Sequence, residues 1–563
     1  MLTKRNSVPP VYPAHRFLTQ TLVFCYILFS IILFPRLSVS EEKPATLAEA
    51  MTQHLACYPL ELIDFHRQKP LIDTKEFCLA TIYHETGAQP LWVTPDGPGK
   101  KALIIVDFLN RVHLEGLDPV DYEFFEINNL WNSLEPSDLA QLDTLLTYNL
   151  VKYIHDMSFG QSKFRTSNPE LFAEAGNIHF DPVYALETAR MADDFAHYLE
   201  SLAPSHRYYR NLKDALAHIR AQPQDPDWRV IPGGGLIKPG KSDPRIPLIR
   251  QRLAADINPE IDEDDATRYN QSLVEAITLF QQNYGLKTDG IIGPQTLAAL
   301  NISRKDKIDM IRANLARWRW QDHELGSDYV MVNIADFSLT SVKDNEIMQE
   351  MPVIVGKQQH QTPVFSDKIK YLDFNPFWNI TPNIARNVEL PALRKNPNHL
   401  VERNIRLFSN WQEDGVELDS TTIDWQNTSR SQMSRYKLRQ DPGPWNALGR
   451  VKFVFPNQHS VYLHDTPTRN LFEESLRSFS YGCIRVSQPL ALAHFMLQLE
   501  DPLWSSEKIN AIVSSGKRKV IRLSNPLPVH MTYQTVWLDN QGMIHFNNDI
   551  YNRDTKLLDV LLN

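Results

Sequence analysis

Val461-Tyr-Leu-His464-Asp-Thr is followed, after a short polar segment, by Ser480-Tyr-Gly-Cys483-Ile-Arg485-Val. Val461 and Leu463 alternate with Tyr462 and His464, so a strand here places Tyr462 and His464 on one face and the two aliphatics on the other. Ser480-Tyr481-Gly482-Cys483 reads as a tight turn feeding Ile484 and Val486, and Gly482 lets the backbone come close to a ligand. A thiol beside an imidazole is a nucleophile with a base: the ring takes the proton and the sulfur attacks a carbonyl. Backbone N–H groups of Gly482 and Cys483 are the natural donors to the developing oxyanion. Arg485 lies two positions beyond the thiol, on the same side of an extended segment. Its planar fork suits a substrate carboxylate, and the alternative is a structural pair with a nearby acid or carbonyl.

A single Cys and a single His, 19 positions apart, is a weak signal. The competing reading is a buried apolar cysteine. Two features weigh against it. Cys483 is the only cysteine after Cys78, so it has no local partner for a disulfide or a thiolate metal site. It also sits in a Ser-x-Gly-Cys turn, where a core cysteine is less usual than on a strand or helix.

Outward from this stretch, period-two patterns mark a β domain. Tyr329-Val-Met-Val-Asn-Ile, Phe337-Ser-Leu-Thr-Ser-Val and Met351-Pro-Val-Ile-Val-Gly356 begin an antiparallel sheet, which resumes at Val451-Lys-Phe-Val-Phe and at Ser460–His464. Residues 385–439 interrupt it with prolines and polar residues, a length that is functional or separately structured inside a compact domain. After Cys483, Leu490 to Leu499 read as a helix with Ser487 as its N-cap. The tail reads as closing strands through Val529–Thr535, Val536-Trp-Leu, Met543-Ile-His-Phe and Asn548-Asp-Ile-Tyr, with a turn at Gln541-Gly542.

The N-terminal half has the other period. Residues 41–230 read mostly as helix, and their histidines lack metal-ligand spacing. A Pro/Gly-rich stretch ending at Pro232-Gly-Gly-Gly235 marks a boundary. Beyond it, Ile246, Leu248, Ile249 and Leu253, then Val274, Ile277, Phe280 and Tyr284, recur at helical spacing. Gly285 reads as a helix C-terminal cap and Gly293-Pro294 as the start of a third helix. Ala313 to Trp320 reads as a connecting helix.

The pattern His464…Ser480-x-Gly482-Cys483-Ile-Arg485 resembles the signature of the L,D-transpeptidases with a YkuD-type catalytic domain. Trp378-Asn-Ile-Thr-Pro, Pro442-Gly-Pro-Trp-Asn-Ala-Leu-Gly-Arg-Val-Lys-Phe and Tyr462-Leu-His-Asp-Thr-Pro are similar to its long YcbB-like subgroup. Many members have His where this chain has Tyr481. Gln89-Pro-Leu-Trp-Val, His113-Leu-Glu-Gly-Leu-Asp-Pro and His155-Asp-Met-Ser-Phe-Gly resemble the subgroup's scaffold domain. Asp289-Gly-Ile-Ile-Gly-Pro-Gln-Thr-Leu-Ala-Ala-Leu resembles the common peptidoglycan-binding domain. The resemblance implies a multidomain α+β chain: a helical scaffold over 41–230, a three-helix peptidoglycan-binding unit over 231–310, and a mostly β catalytic domain over 311–563 with a capping insertion at 385–439.

It also implies an activity on peptidoglycan stem tetrapeptides. Cys483 is then the nucleophile and His464 the proton donor and acceptor, with a pKa near operating pH. Ser480, Tyr481 and Gly482 shape the turn and the oxyanion site; of the substrate-binding candidates, Arg485 is read for a carboxylate, and Tyr462 and Trp378 as walls of the peptide groove, with a place in the core as the alternative for the two aromatics. Terminal D-Ala leaves, the acyl group passes to an acceptor amine as a 3→3 cross-link in wall synthesis and cell shape, and carbapenems acylate the thiol. The same thioester released by water gives a carboxypeptidase or endopeptidase, and a non-catalytic wall-binding protein is the alternative from another class. No cofactor or metal is called for. Asp465 follows His464 on the strand and so points away from it, leaving a backbone carbonyl as the partner expected to orient the ring.

Composition fits this. The chain has 563 residues, 42% hydrophobic and 22% charged, and exceeds the size of one core. A net charge of −9 argues against nucleic acid as a partner. Lys4, Arg5 and Arg16 precede an apolar run of 13 residues, Leu22 to Phe34, in a segment 1–40 without acids. That length suits a signal peptide, with an uncleaved anchor as the alternative. Either exports the remainder to the periplasm, anchored at the inner membrane in the second case. There Cys57 and Cys78 are able to pair. Stem peptides and glycan are the expected partners, with other wall-synthesis enzymes as candidates.

Overall fold

The structure, a computed structural model, describes residues 44, 46–56, 82–83, 87–161, 180–222, 228–256 and 266–561. The segment 1–40, Cys57 and Cys78 therefore lie outside the described residues.

The N-terminal part is helical, as its 3.6-residue periodicity predicts. The longest helix among its described residues, α1 (Pro136–Phe159), is buried over most of its length. Leu142, Leu146, Leu150 and Ile154 share a core with Tyr83, Trp92, Ile105, Leu109 and Val112. Buried Asp143 accepts the backbone N–H groups of Leu91, Trp92 and Val93 and so ties the preceding loop to α1. Helix α2 (Arg207–Ala221) follows, then the small unit α3 (Ile246–Asp256), α4 (Gln271–Asn283) and α5 (Pro294–Leu300). Pro294 occupies the first turn of α5, and Gly285, at φ +59°, follows α4 where a side chain would be strained.

Helix α6 (Arg304–Arg319) joins these parts to the rest. Its Arg319, 1% exposed, donates to the Glu115 carbonyl at 2.7 Å and to the Tyr209 hydroxyl at 3.1 Å. Arg317 meets Asp554 near the C-terminus at 2.5 Å. A helix with buried arginines whose partners come from both ends of the chain fixes the domains against one another, because a buried charge without its partner is costly.

The C-terminal domain is built on nine strands: β1 (Tyr329–Asn333), β2 (Ser338–Lys343), β3 (Glu346–Gly356), β4 (Phe365–Phe374), β5 (Val451–Val454), β6 (Leu463–His464), β7 (Ser478–Ser480), β8 (Ile484–Val486) and β9 (Lys519–Thr532). The spatial order is β7-β3-β8-β6-β5-β4-β9-β1-β2, and β2 also pairs with β3, so the sheet closes on itself. Inside lie Val330, Val332, Leu339, Ile369, Phe453, Leu463 and Ile484, with Leu492 and Met496 of α7 (Pro489–Glu500) packed against them.

Four sequence expectations are corrected here. The sheet is mixed, with parallel pairs β6/β8, β9/β1 and β7/β3. Ser487 does not cap α7: Pro489 sets the first turn one residue later, Gln488 is the flanking residue, and the Ser487 N–H donates to the Pro352 carbonyl at 3.1 Å. Val529–Thr532 forms the end of one long strand, β9, rather than a separate closing strand. Asn548–Tyr551 is not a strand but leads into α8 (Arg553–Leu561), while Val536–Leu538 and Ile544–Phe546 do form a hairpin. The interruption between β4 and β5 has its own four-stranded sheet, Trp378–Ile380, Lys437–Gln440, Ile405–Phe408 and Glu417–Leu418. Its separate core includes Leu393, Leu400, Leu407 and Leu438.

Candidate active site

Register decides the site. Parallel pairing of β6 with β8 sets His464 opposite Arg485, and antiparallel pairing of β6 with β5 sets it opposite Lys452. Residues opposite one another in a sheet point to the same face. The imidazole therefore lies between two cations on the outer face, while Leu463, Ile484 and Phe453 turn inward. Tyr462, two residues before His464, shares that face with ring centroids 5.6 Å apart. Lys452 Nζ stands 3.6 Å from the Tyr462 ring centroid. Cys483 enters β8 on this side, partly exposed, its Sγ 3.8 Å from the Ser460 carbonyl oxygen.

His464 Nδ1 lies 2.5 Å from the backbone carbonyl of Asp465, which fixes the proton on Nδ1 and leaves Nε2 as the acceptor. Asp465 is 2% exposed and its carboxylate is engaged by two arginines: its Oδ2 accepts from Arg450 N at 3.0 Å and Nε at 2.6 Å, and its Oδ1 from Arg469 Nη1 at 2.9 Å. Gly449, at φ +59°, makes room, since a Cβ there would come within 2.5 Å of the Asp465 carboxyl carbon.

The imidazole does not titrate near neutral pH as the sequence reading expected. Burial, then the charge of Arg485, push its pKa down to about 3 against the opposing hydrogen bond to the Asp465 carbonyl, and Lys452 adds a smaller push in the same downward direction. Burial likewise pushes the Cys483 thiol up, while the N–H and phenol of Tyr462 and the charges of Lys452 and Arg485 pull it down. The resting pair is a neutral thiol and a neutral imidazole, surrounded by groups that favour a thiolate once it forms.

The turn is held from behind. Ser480 Oγ, 3% exposed, donates to the Cys483 carbonyl at 2.5 Å and accepts from Gly482 N at 3.0 Å. That corrects the oxyanion assignment: the Gly482 N–H is already committed, leaving the Cys483 N–H as the turn's donor. Gly482 adopts φ +112°, a conformation for which glycine is needed. Its carbonyl accepts from Thr362 Oγ1 at 2.9 Å, and Thr362 Oγ1 in turn accepts from Gly356 N at 2.9 Å. Tyr551, far along the chain, donates its hydroxyl to the Gly356 carbonyl. Tyr481 lies outward, 43% exposed, with Lys357 Nζ 4.1 Å from its ring centroid.

Arg485 makes no salt bridge among the described residues, and with Thr466–Thr468 it lines a cavity of about 290 Å³. The opposite wall belongs to the insertion: Glu402, Arg403, Asn404 and Gln440. Arg403 is anchored on buried Glu389 at 2.7 Å. Trp378 is placed in the insertion sheet, opposite Gln440, packed against the insertion's core.

Sequence reading missed Lys452, Thr362 and Tyr551. Lys452 carried a signal, as the one charged residue interrupting the apolar run Val451–Phe455. Thr362 and Tyr551 carried none, being polar residues in loops far along the chain.

Comparison with known proteins places three domains on this architecture. Residues 327–519 match the L,D-transpeptidase catalytic domain family, residues 78–216 the scaffold domain family, and residues 242–300 a family described as "Putative peptidoglycan binding domain". A curated relative from Haemophilus influenzae (strain ATCC 51907 / DSM 11121 / KW20 / Rd), "Putative L,D-transpeptidase", is 32% identical over 228 residues, 40% of this chain and 45% of the relative. The chain thus spans under half the length of that relative. Among solved structures, an L,D-transpeptidase from Mycobacterium smegmatis aligns at 12% identity and TM-score 0.18 over 37% of this chain and 58% of its own. One from Stackebrandtia nassauensis aligns at 15% identity and TM-score 0.21 over 52% of this chain and 94% of its own.

Proposed function

We propose that this chain, whose residues 327–519 belong to the L,D-transpeptidase catalytic domain family, is an exported peptidoglycan L,D-transpeptidase acting in the periplasm. The observation that carries the reading is the register of β6 and β8, which gathers Cys483, His464, Arg485 and Lys452 on one face. As Cys483 Sγ attacks the donor carbonyl, its proton passes to His464 Nε2, and the Asp465 carbonyl holds the ring that becomes charged. The Cys483 N–H donates to the oxyanion. Collapse to the thioester breaks the bond to terminal D-Ala, whose amine takes the proton from Nε2. An acceptor amine then attacks the thioester with His464 again the base, regenerating the thiol and leaving a 3→3 cross-link.

The low pKa of His464 suits the acid half of this role, while the base half depends on Lys452, Arg485 and the Tyr462 phenol stabilising the thiolate as it forms. An imidazolium at about pKa 3 is a strong acid and gives its proton readily to a departing amine. Arg485 faces this cavity with no acid paired to it among the described residues, which suits a carboxylate of a stem peptide. The insertion walls that cavity and so acts as a cap that keeps water from the thioester. The helical unit at 242–300 holds the chain on the wall polymer.

The test is the full chain with isolated disaccharide-tetrapeptide, product masses read by mass spectrometry, and Cys483→Ala in parallel. A cross-linked dimer short of one D-Ala, absent in the mutant, is the expected product. Tripeptide alone would make the chain a hydrolase on the same thioester, and no Cys483-dependent product would refute catalysis.

A further inference from the structure

A larger cavity, about 770 Å³, lies away from Cys483 where three parts of the chain meet. Its walls are α2 of the helical region, the end of α4, the hairpin Val536–Phe546, and the outer face of β1, β2 and β9. That face is unusual. Register aligns Thr532, Asn333 and Ser338 across three strands, with Thr340 beside them, so a covered sheet surface is polar where an ordinary domain contact would be aliphatic.

Some of these groups are satisfied: Asn333 Nδ2 donates to the Gln534 carbonyl at 3.0 Å, and its Oδ1 accepts from Gln534 N at 3.0 Å. Others are not. Among the described residues, both amide atoms of the Gln534 side chain, on a residue 2% exposed, have no hydrogen-bond partner, and neither do Thr340 Oγ1 and Trp537 Nε1. All three residues line the cavity. Buried polar groups without partners are rare and each costs on the order of 1–3 kcal/mol. Together they are uncharged donors and acceptors, on residues that line the cavity, whose hydrogen-bonding capacity the described residues leave unmatched.

Flat rings complete the wall. Trp537, partly exposed and stacked by one face on His545 at 4.3 Å, is the ring open to a ligand, because Tyr284 is enclosed between Phe280 at 4.1 Å and Phe546 at 5.3 Å. Aromatic faces with uncharged hydrogen-bonding groups match a sugar ring, which has apolar C–H faces and a rim of hydroxyls and amides. Charge argues against the stem peptide here: Asp214, Glu350 and Asp539 line the cavity against Arg207. An anion bearing several carboxylates is disfavoured, whereas a neutral ligand is not.

We propose that this cavity binds an uncharged amino-sugar segment of the glycan strand, so that the polymer is held at the domain junction while its peptides reach the Cys483 face. The choice of ligand rests on the function proposed above. The experiment is calorimetric titration of the full chain with the tetrasaccharide of N-acetylglucosamine, repeated on Gln534→Leu and Thr340→Val, with free stem tetrapeptide as competitor and Tm followed throughout. Saturable binding is expected, weakened about tenfold by either substitution, with Tm unchanged or raised and no competition by the peptide. Absence of binding would overturn the proposal, as would equal affinity in a folded variant or a fall in Tm with affinity kept. Should Gln534→Leu fail to fold, Thr340→Val decides alone. Transfer is assayed separately on the unmodified chain. Sugar binding without Cys483-dependent transfer removes only the catalytic reading, and transfer without sugar binding removes only this one.

Discussion

Replacing Lys452 by Met tests whether the face around the thiol works electrostatically. Lys452 sits opposite His464 across the β5/β6 pair, and its ammonium lies 3.6 Å from the Tyr462 ring centroid. Its charge opposes the burial that raises the Cys483 thiol and adds to the forces that keep His464 neutral. Coulomb's law gives about 2 kcal/mol, or roughly 1.5 pKa units, for any unit charge about 8 Å from a titrating group at an effective dielectric of about 20. Solvent at the partly exposed thiol reduces this, so a shift of about one unit is expected. The sign is fixed: loss of a cation destabilises the thiolate, and the Cys483 pKa rises. Methionine keeps the aliphatic stem against Tyr462, so the fold is retained. The assay is alkylation by uncharged iodoacetamide from pH 6 to 11, with circular dichroism as a control. The midpoint should move up by about one unit, and below it the rate should fall about tenfold. An unchanged midpoint in a folded variant would refute the electrostatic account of this face.

Thr362→Val removes the hydroxyl linking Gly356 N to the Gly482 carbonyl, with little change of shape. Two buried backbone groups lose their partner, at an expected cost of about 2–4 kcal/mol in urea unfolding. The displaced thiol should lose about 10²-fold in kcat. A second expectation concerns acid. His464 and His206 are both held near pKa 3 in the fold, against about 6.5 in an unfolded chain, so below pH 6.5 the unfolded state binds more protons. Stability from these groups is complete above pH 6.5 and lost as pH falls toward 3, with a slope of up to about 1.4 kcal/mol per pH unit for each. Urea unfolding of His464→Asn between pH 4 and 6 should show a slope smaller by about that amount, and an equal slope would contradict the burial argument.

The sequence by itself determined the order of the domains, the change from helical to strand period near Tyr329, and a cysteine placed in a glycine turn downstream of a strand that carries a histidine. These are local facts. Alternation at Val461–His464 puts Tyr462 and His464 together whatever the strand's neighbours, and only glycine suits position 482 of such a turn. Even the orientation of His464 by a backbone carbonyl followed from which way Asp465 must point. Tertiary structure decided what a local period cannot contain. Parallel pairing of β6 with β8 brought Arg485 to His464, and Lys452 arrived from the other side. Burial between those two cations, absent from any single segment, carried the imidazole away from neutral pH. Thr362 and Tyr551 became supports of the Cys483 turn only because loops far apart in the chain close on the end of β3. The junction cavity belongs wholly to this second class, since its polar sheet face, α2 and the hairpin acquire a shared ligand surface only when three domains pack.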